Sequence, residues 1–330
     1  MFNLLFKTTG RFGYYSKVNV ATLKIYLEYV KYINRKKFKD FDKTLIISGA
    51  PRSGTTWLAE YFHQVLNALY LHEPLHRGRI KKLKKLDFPW LQYIPEGHEW
   101  NPAHSVFKSL LSGLELNPAL VQRNKQIDGL HKSDFLLIKF VRSGPLLNWL
   151  TNQFNLKLKP LYIVRHPAAV VYSQLNHGAW NYLHSISYPL VNQEKVGLNS
   201  YFNKHISKVP VLSNHEELLT YGWYLETELI LNNKNQRYIV IYYEEFIVKP
   251  QETLEKIQKE WKINRSLYVE NLFNKPSSST QKSNDFKSDV EKQLSKWQGN
   301  LKEEQKDNIQ KILDVFEVKT YSTNSIYPLA

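Results

Sequence analysis

The 330 residues are 42% hydrophobic and 23% charged, a balance that excludes disordered and fibrous classes and allows one large domain or two small ones. Forty-five lysines and arginines stand against 30 acids, a net charge of +15 that points to an anionic cofactor, substrate or surface. The absence of cysteine removes disulfides, thiolate metal sites and cysteine nucleophiles.

The opening MFNLLF is too short for the apolar core of a signal peptide, and no apolar run approaches the ~18 residues of a membrane span, so a cytoplasmic location is expected. In VATLKIYLEYVKYI, Val20, Leu23, Leu27 and Val30 recur at helical spacing, and the basic NRKKFK follows. A packed helix is one reading of this segment; a peripheral membrane contact through aromatic and basic side chains is the other. TLIIS (44–48) then predicts a buried strand and TTWLAEYFHQVL a helix, with further strands at 69–71, 134–140, 161–164 and 237–243. Helical segments between most of these strands predict an α/β fold, with a P-loop-type central parallel β-sheet and helices on both faces.

Residues 176–212 lack periodicity and read as a long insertion near the substrate. Ser213 and Glu216 form an S-x-x-E capping box ahead of LLTYGWYLETELIL, and QETLEKIQKEW after Pro250 places Leu254, Ile257 and Trp261 on one helical face. The polar stretch 275–285 reads as a loop, and Ile309, Ile312, Leu313 and Phe316 mark a last helix. With no repeat and no linker, a single domain over 1–330 is expected, with a helical extension at 1–43.

The loop GAPRSGTTW (49–57) joins the first strand to its helix, so backbone N–H groups and the positive helix end converge on an anion there. Gly49 and Gly54 allow close approach, and Ser53, Thr55 and Thr56 supply hydroxyls. Thr55 stands where a Walker A loop carries its lysine, and Arg52 provides the cation instead. A nucleoside triphosphate site also needs an acid at another strand end to hold Mg²⁺; Lys139 and Arg165 occupy two of those ends, and only RYIVIYYEE ends in acids. A metal-free site for an anion of lower charge is expected.

PRSGTTWL resembles the 5′-phosphosulfate loop of sulfotransferases that use 3′-phosphoadenosine 5′-phosphosulfate (PAPS). The resemblance implies that Arg52, Ser53, Gly54, Thr55 and Thr56 hold the phosphosulfate and that Trp57 takes the adenine-stacking position. LYIVRHPAAVVYSQL (161–175) resembles the family's 3′-phosphate site, which implies that role for Arg165 and Ser173. RYIVIYYEEFIVKP and LSKWQGNL resemble later segments in the same order, extending the likeness from about Thr44 to Leu301. Lys292 or Lys296 in the closing loop is expected to reach the 3′-phosphate, with 3′-phosphoadenosine 5′-phosphate (PAP) as product.

The acceptor hydroxyl needs a general base. The cytosolic branch of the family uses a histidine after Lys-Thr, but LIKFVR keeps only the lysine, as Lys139, with Val141 at the histidine's place. LYLHEPLH (69–76) resembles the strand-end Glu-Pro of carbohydrate and tyrosyl-protein sulfotransferases, which implies Glu73 as base, with His72 and His76 as alternatives. Lys139 is either a sulfate-positioning residue or a strand lysine reaching outward. The resemblance points to a free hydroxyl on a carbohydrate or glycoconjugate; RIKKLKKL (79–86) would suit an acidic glycan, and 176–212 would be the acceptor-side insertion. Lipid or small-metabolite acceptors, a P-loop kinase and a non-catalytic relative are the competing readings. No nucleic-acid signature is present, and no histidine pair has metal-ligand spacing.

Overall fold

The run at 44–49 is buried at all six positions, the pattern of a strand covered on both faces. It forms β1 (Thr44–Gly49) of a five-stranded parallel sheet with β2 (Ala68–His72), β3 (Phe135–Lys139), β4 (Leu161–Val164) and β5 (Ile239–Tyr242), in the order β2-β3-β1-β4-β5. The computed structural model describes residues 17–76, 78–89, 91–180, 201, 212–232, 237–278 and 290–329. All five expected strands are present, within a few residues of their expected bounds.

The longer helices are α1 (Lys17–Lys37), α2 (Thr55–Val65), α3 (Asn101–Leu111), α4 (Gly144–Gln153), α5 (Pro167–His177), α6 (His215–Leu231), α7 (Pro250–Trp261) and α8 (Glu303–Val315). Alternate strand residues face opposite ways, and this divides the core in two. Leu45, Ile47, Leu137 and Ile163 pack with α2 and α7, whereas Ile46, Leu136, Ile138 and Val164 pack with α1, α3, α4, α5, α6 and α8. Helices therefore cover both faces. No helix among the described residues is long and apolar enough to cross a membrane.

Two local expectations shift. The capping box of α6 is Asn214 with Glu217, one residue later than expected, because Glu217 Oε2 accepts from both the Ser213 and Asn214 N–H groups while Glu216 turns to Gln305. Tyr243 leaves the strand to open the short helix Tyr243–Val248. Most of the 176–212 insertion and of the 275–285 loop lies outside the described residues.

The sheet positions the site through β1, whose neighbours β3 and β4 lead to opposite halves of the fold, so a crevice opens beyond its carboxyl end. Gly49 ends β1 against β4 at a point where an added Cβ would lie 2.5 Å from Ile163 O and 2.9 Å from Thr55 Cγ2. Neither the strand backbone nor the loop has room to give. Gly49→Ala is therefore expected to lower stability in urea unfolding by about 1–3 kcal/mol, as overpacking does; an unchanged midpoint and slope would contradict this packing.

Candidate active site

The loop after β1 turns sharply, with Arg52 and Gly54 at left-handed φ of 71° and 91° and Ser53 N–H donating to Ala50 O at 3.1 Å. A Cβ on Gly54 would meet the Tyr243 ring at 2.9 Å, so glycine is needed for contact as well as for dihedral. α2 begins at Thr55 with no side-chain cap, which leaves its first N–H groups open to an anion. The loop faces a cavity of about 900 Å³.

Arg52, Gly54, Thr55, Thr56 and Trp57 line this cavity from the loop, and Glu73, Lys139, Arg165 and Ser173 line it from the ends of β2, β3 and β4 and from α5. Lys296 also lines it, whereas Lys292 does not. Ser53 is fully buried beneath the loop, with its Oγ lacking a hydrogen-bond partner. Trp57 belongs to an aromatic cluster; it is 6% exposed, meets Phe273 edge-on at 4.9 Å, and donates from Nε1 to Phe273 O at 3.3 Å.

Two guanidiniums meet on the β1/β4 side. Arg52 Nε donates to Ser173 Oγ at 3.0 Å, and Arg165 Nη1 donates to Arg52 O at 3.1 Å. Burial and the neighbouring Arg165 charge both lower the Arg52 pKa. Arg165 Nε is buried without a partner, and its guanidinium lies 4.6 Å from the Tyr243 ring centre. An anion with several acceptor oxygens would satisfy these donors.

The base of Arg165 is held by residues that the sequence reading did not single out. His166 N–H donates to the buried Glu244 carboxylate at 2.8 Å, and Tyr321 Oη donates to the same carboxylate at 3.0 Å. The His166 ring stacks on Trp297 at 4.5 Å, accepts from Ala168 N–H at Nδ1 and donates from Nε2 to Ser322 O. Burial pushes the His166 pKa down to about 4, which keeps the ring neutral, and the two hydrogen bonds set its tautomer. Glu244, one of the acids that end RYIVIYYEE, is engaged in this clamp. Among the described residues no group of three His, Asp or Glu side chains could hold a metal ion.

On the β2/β3 side, Lys139 Nζ donates to Glu73 Oε1 at 2.6 Å and to Thr56 Oγ1 at 3.0 Å. The lysine is 2% exposed, so it does not reach outward to solvent. It joins the strand-end carboxylate to the loop hydroxyl. Burial would raise the Glu73 pKa, but the Lys139 charge, His72, the Lys139 hydrogen bond and Arg79 together outweigh it and hold the carboxyl at about 2, ionised at neutral pH. Glu73 sits at φ 48°, a strained position for a non-glycine residue.

His72, an alternative base, is buried; its Nδ1 is 2.9 Å from Tyr70 Oη, and burial followed by the Lys139 charge pushes its pKa down to about 3. His76 lines the cavity from an exposed position. Of the basic run at 79–86, Arg79 turns inward, donating to His72 O and lying 4.0 Å from Glu73 Oε2, while Lys82 pairs with Glu115 at 2.5 Å. Arg142 also lines the cavity, at φ 59°, and had no motif to announce it.

A family model described as "Sulfotransferase domain" matches residues 42–323. The chain belongs to the sulfotransferase family. Similar solved structures include the sulfotransferase domain from the curacin biosynthetic pathway, at 17% identity and TM-score 0.42, covering 83% of this chain and 96% of that one. A sulfotransferase domain from the Synechococcus PCC 7002 olefin synthase matches at 15% identity and TM-score 0.38, covering 83% and 94%. A sulfotransferase from Alicyclobacillus acidocaldarius matches at 14% identity and TM-score 0.33, covering 82% and 95%. No curated protein matches the sequence. As a member of that family the protein is a sulfotransferase enzyme, and sulfotransferases take an acceptor that bears a hydroxyl.

The depressed Glu73 value has a stability consequence. Its folded value of about 2 lies below the ordinary 4.5, so the stabilisation is complete above pH 4.5 and is lost as the pH falls towards 2. Thermal melts of the wild-type sulfotransferase and of Glu73→Gln should therefore differ most near neutral pH and converge through that acid window. A gap that stays constant across it would show that the Lys139 pair does not hold Glu73 ionised.

Proposed function

We propose that this sulfotransferase moves a sulfuryl group from PAPS to a hydroxyl of a carbohydrate or glycoconjugate, with Glu73 as general base and no metal. The observation that carries the reading is the Lys139 bridge, which bonds at once to Glu73 and to Thr56 of the anion-binding loop. Bound there, PAPS supplies an activated sulfuryl group and leaves as PAP. The buried Arg165 Nε, which has no hydrogen-bond partner among the described residues, and the uncapped start of α2 at the cavity fit such an anion.

In this reading Arg52, Ser53, Gly54, Thr55 and Thr56 hold the 5′ end, with Arg52 and the loop N–H groups stabilising the charge that builds on the leaving oxygens. Arg165 and Ser173 bind the 3′-phosphate, joined by Lys296 and not Lys292, since only Lys296 lines the cavity. Trp57 walls the adenine end. Glu73 takes the acceptor proton on a carboxylate oxygen as the acceptor oxygen bonds to sulfur. With its pKa near 2, Glu73 is a weak base while Lys139 is its closest partner. Lys139, already at Thr56, shares its charge with an anion seated in the loop, which raises the Glu73 pKa when the base is needed. His72 has no such route, because burial is the largest cause of its low value.

Single-domain organisation over 1–330, with 176–212 on the acceptor side, completes the proposal. The strand-end Glu-Pro and the cationic cavity walls, including Arg123 and Arg142, support an acidic glycan over a neutral acceptor. Glu73→Gln is expected to lose turnover by about 10²–10⁴-fold, measured as transfer of labelled sulfate to a hydroxyl acceptor, while PAP affinity is retained. Unchanged turnover would remove Glu73 from the chemistry. Activity abolished by EDTA, with ATP bound more tightly than PAP, would favour the P-loop kinase instead.

A further inference from the structure

Among the described residues, α1 is held to the protein chiefly by one face. Leu23, Tyr26, Leu27, Val30 and Asn34 are buried; Tyr26 Oη donates to Asp128 O at 2.8 Å, Asn34 Nδ2 to Gly113 O at 2.9 Å, and Lys37 Nζ to Ser133 O at 2.7 Å. The roughly opposite face carries Ile25, Tyr29 and Tyr32, at i, i+4 and i+7, with exposures of 68%, 48% and 66%. Eight large hydrophobic side chains are exposed among the described residues, and these are the three that share a helix face.

The charge around this stripe has one sign. Lys24, Arg35 and Lys36 are exposed beside it, and the acid Glu28 is paired with Lys31 at 2.7 Å. Residues 1–37 hold eight basic side chains and one acid, close to half of the net charge of the whole chain. An apolar and aromatic stripe flanked by lysine and arginine, on a helix whose other face is packed, suits the boundary between lipid headgroups and acyl chains.

We propose that α1 docks the protein on an anionic lipid surface, with Ile25, Tyr29 and Tyr32 entering the interface and Lys24, Arg35 and Lys36 meeting the headgroups. A second copy of the chain is a poorer occupant, because an isologous pairing would bring this basic face against itself. Nucleic acid would meet the charges but leave the Ile25–Tyr29–Tyr32 stripe without a partner. The inference is independent of the acceptor and of the chemistry proposed above.

Co-sedimentation of the full chain with phosphatidylcholine vesicles, with and without phosphatidylserine, tests it. Binding is expected only to the serine-containing vesicles and should weaken with added salt. Replacing Lys24, Arg35 and Lys36 together by Gln should lower that affinity about 100-fold, on the basis of about 1 kcal/mol for each charge near the surface. Replacing Ile25 and Tyr32 together by Ser should also abolish binding, while melting temperature and PAP affinity stay unchanged because both side chains are about two-thirds exposed. Absence of vesicle binding, equal binding to both vesicles, binding retained in the Ser variant, or a dimer on gel filtration that the Ser variant dissolves would each overturn the proposal.

Discussion

The buried ammonium of Lys139 is the contact on which the rest of the site depends. A charge at 2% exposure is tolerated only where partners replace the water it has lost, and here those partners are the Glu73 carboxylate and the Thr56 hydroxyl. Removing either would leave the ammonium under-solvated, so β2, β3 and the anion-binding loop are held in one mutual arrangement. The register agrees, since Lys139 lies beside both His72 of β2 and Ile47 of β1. The same arrangement that stabilises Glu73 as a carboxylate would weaken it in the general-base role proposed for it.

The opposite half of the cavity brings two guanidiniums together, Arg52 and Arg165, with the Arg165 one set over the Tyr243 ring. Arg52 and Arg165 are kept close by a carbonyl and by Ser173, and the Arg165 charge also acts on the buried Glu244 carboxylate. Glu244, Tyr321, Trp297 and His166 keep the end of β4 in place while it carries that charge. The backbone shows related strain: Arg52, Glu73 and Arg142 all line the cavity and all take left-handed dihedrals that favour glycine. Strain of this kind persists only where packing over-determines it, and the two cores on either side of the sheet supply that packing.

The sheet was legible in the sequence because buried parallel strands are short apolar runs between helical patterns, and TLIIS, FLLIK and LYIV have no other good reading. Arg52, Thr55, Thr56, Arg165 and Ser173, which line the cavity, were legible as candidates because they lie within a few positions of one another in two local motifs. What could not be read is made by residues distant in sequence. Glu244 reaches His166 across 78 positions and Tyr321 across 77, and no local pattern marks either contact. Arg142 follows a strand whose end already carried a lysine, and nothing in its neighbours distinguishes it from a surface arginine. That Lys296 lines the cavity and Lys292 does not depends on which way a short helical segment turns, which no local pattern marks. The α6 capping box slipped by one residue because Ser213 and Asn214 both satisfy the composition rule and only packing selects between them.

The central claim is that one anionic nucleotide spans the Arg52 loop and the Arg165 pocket, with Lys139 linking the loop to Glu73. A crystal structure of the protein soaked with PAP tests it most directly. The expected result is the 5′-phosphate in the loop, within hydrogen-bond distance of Arg52 and Thr56, and the 3′-phosphate on Arg165 and Ser173. Nucleotide bound elsewhere, or bound in this cavity with Arg165 turned away from both phosphates, would contradict the account.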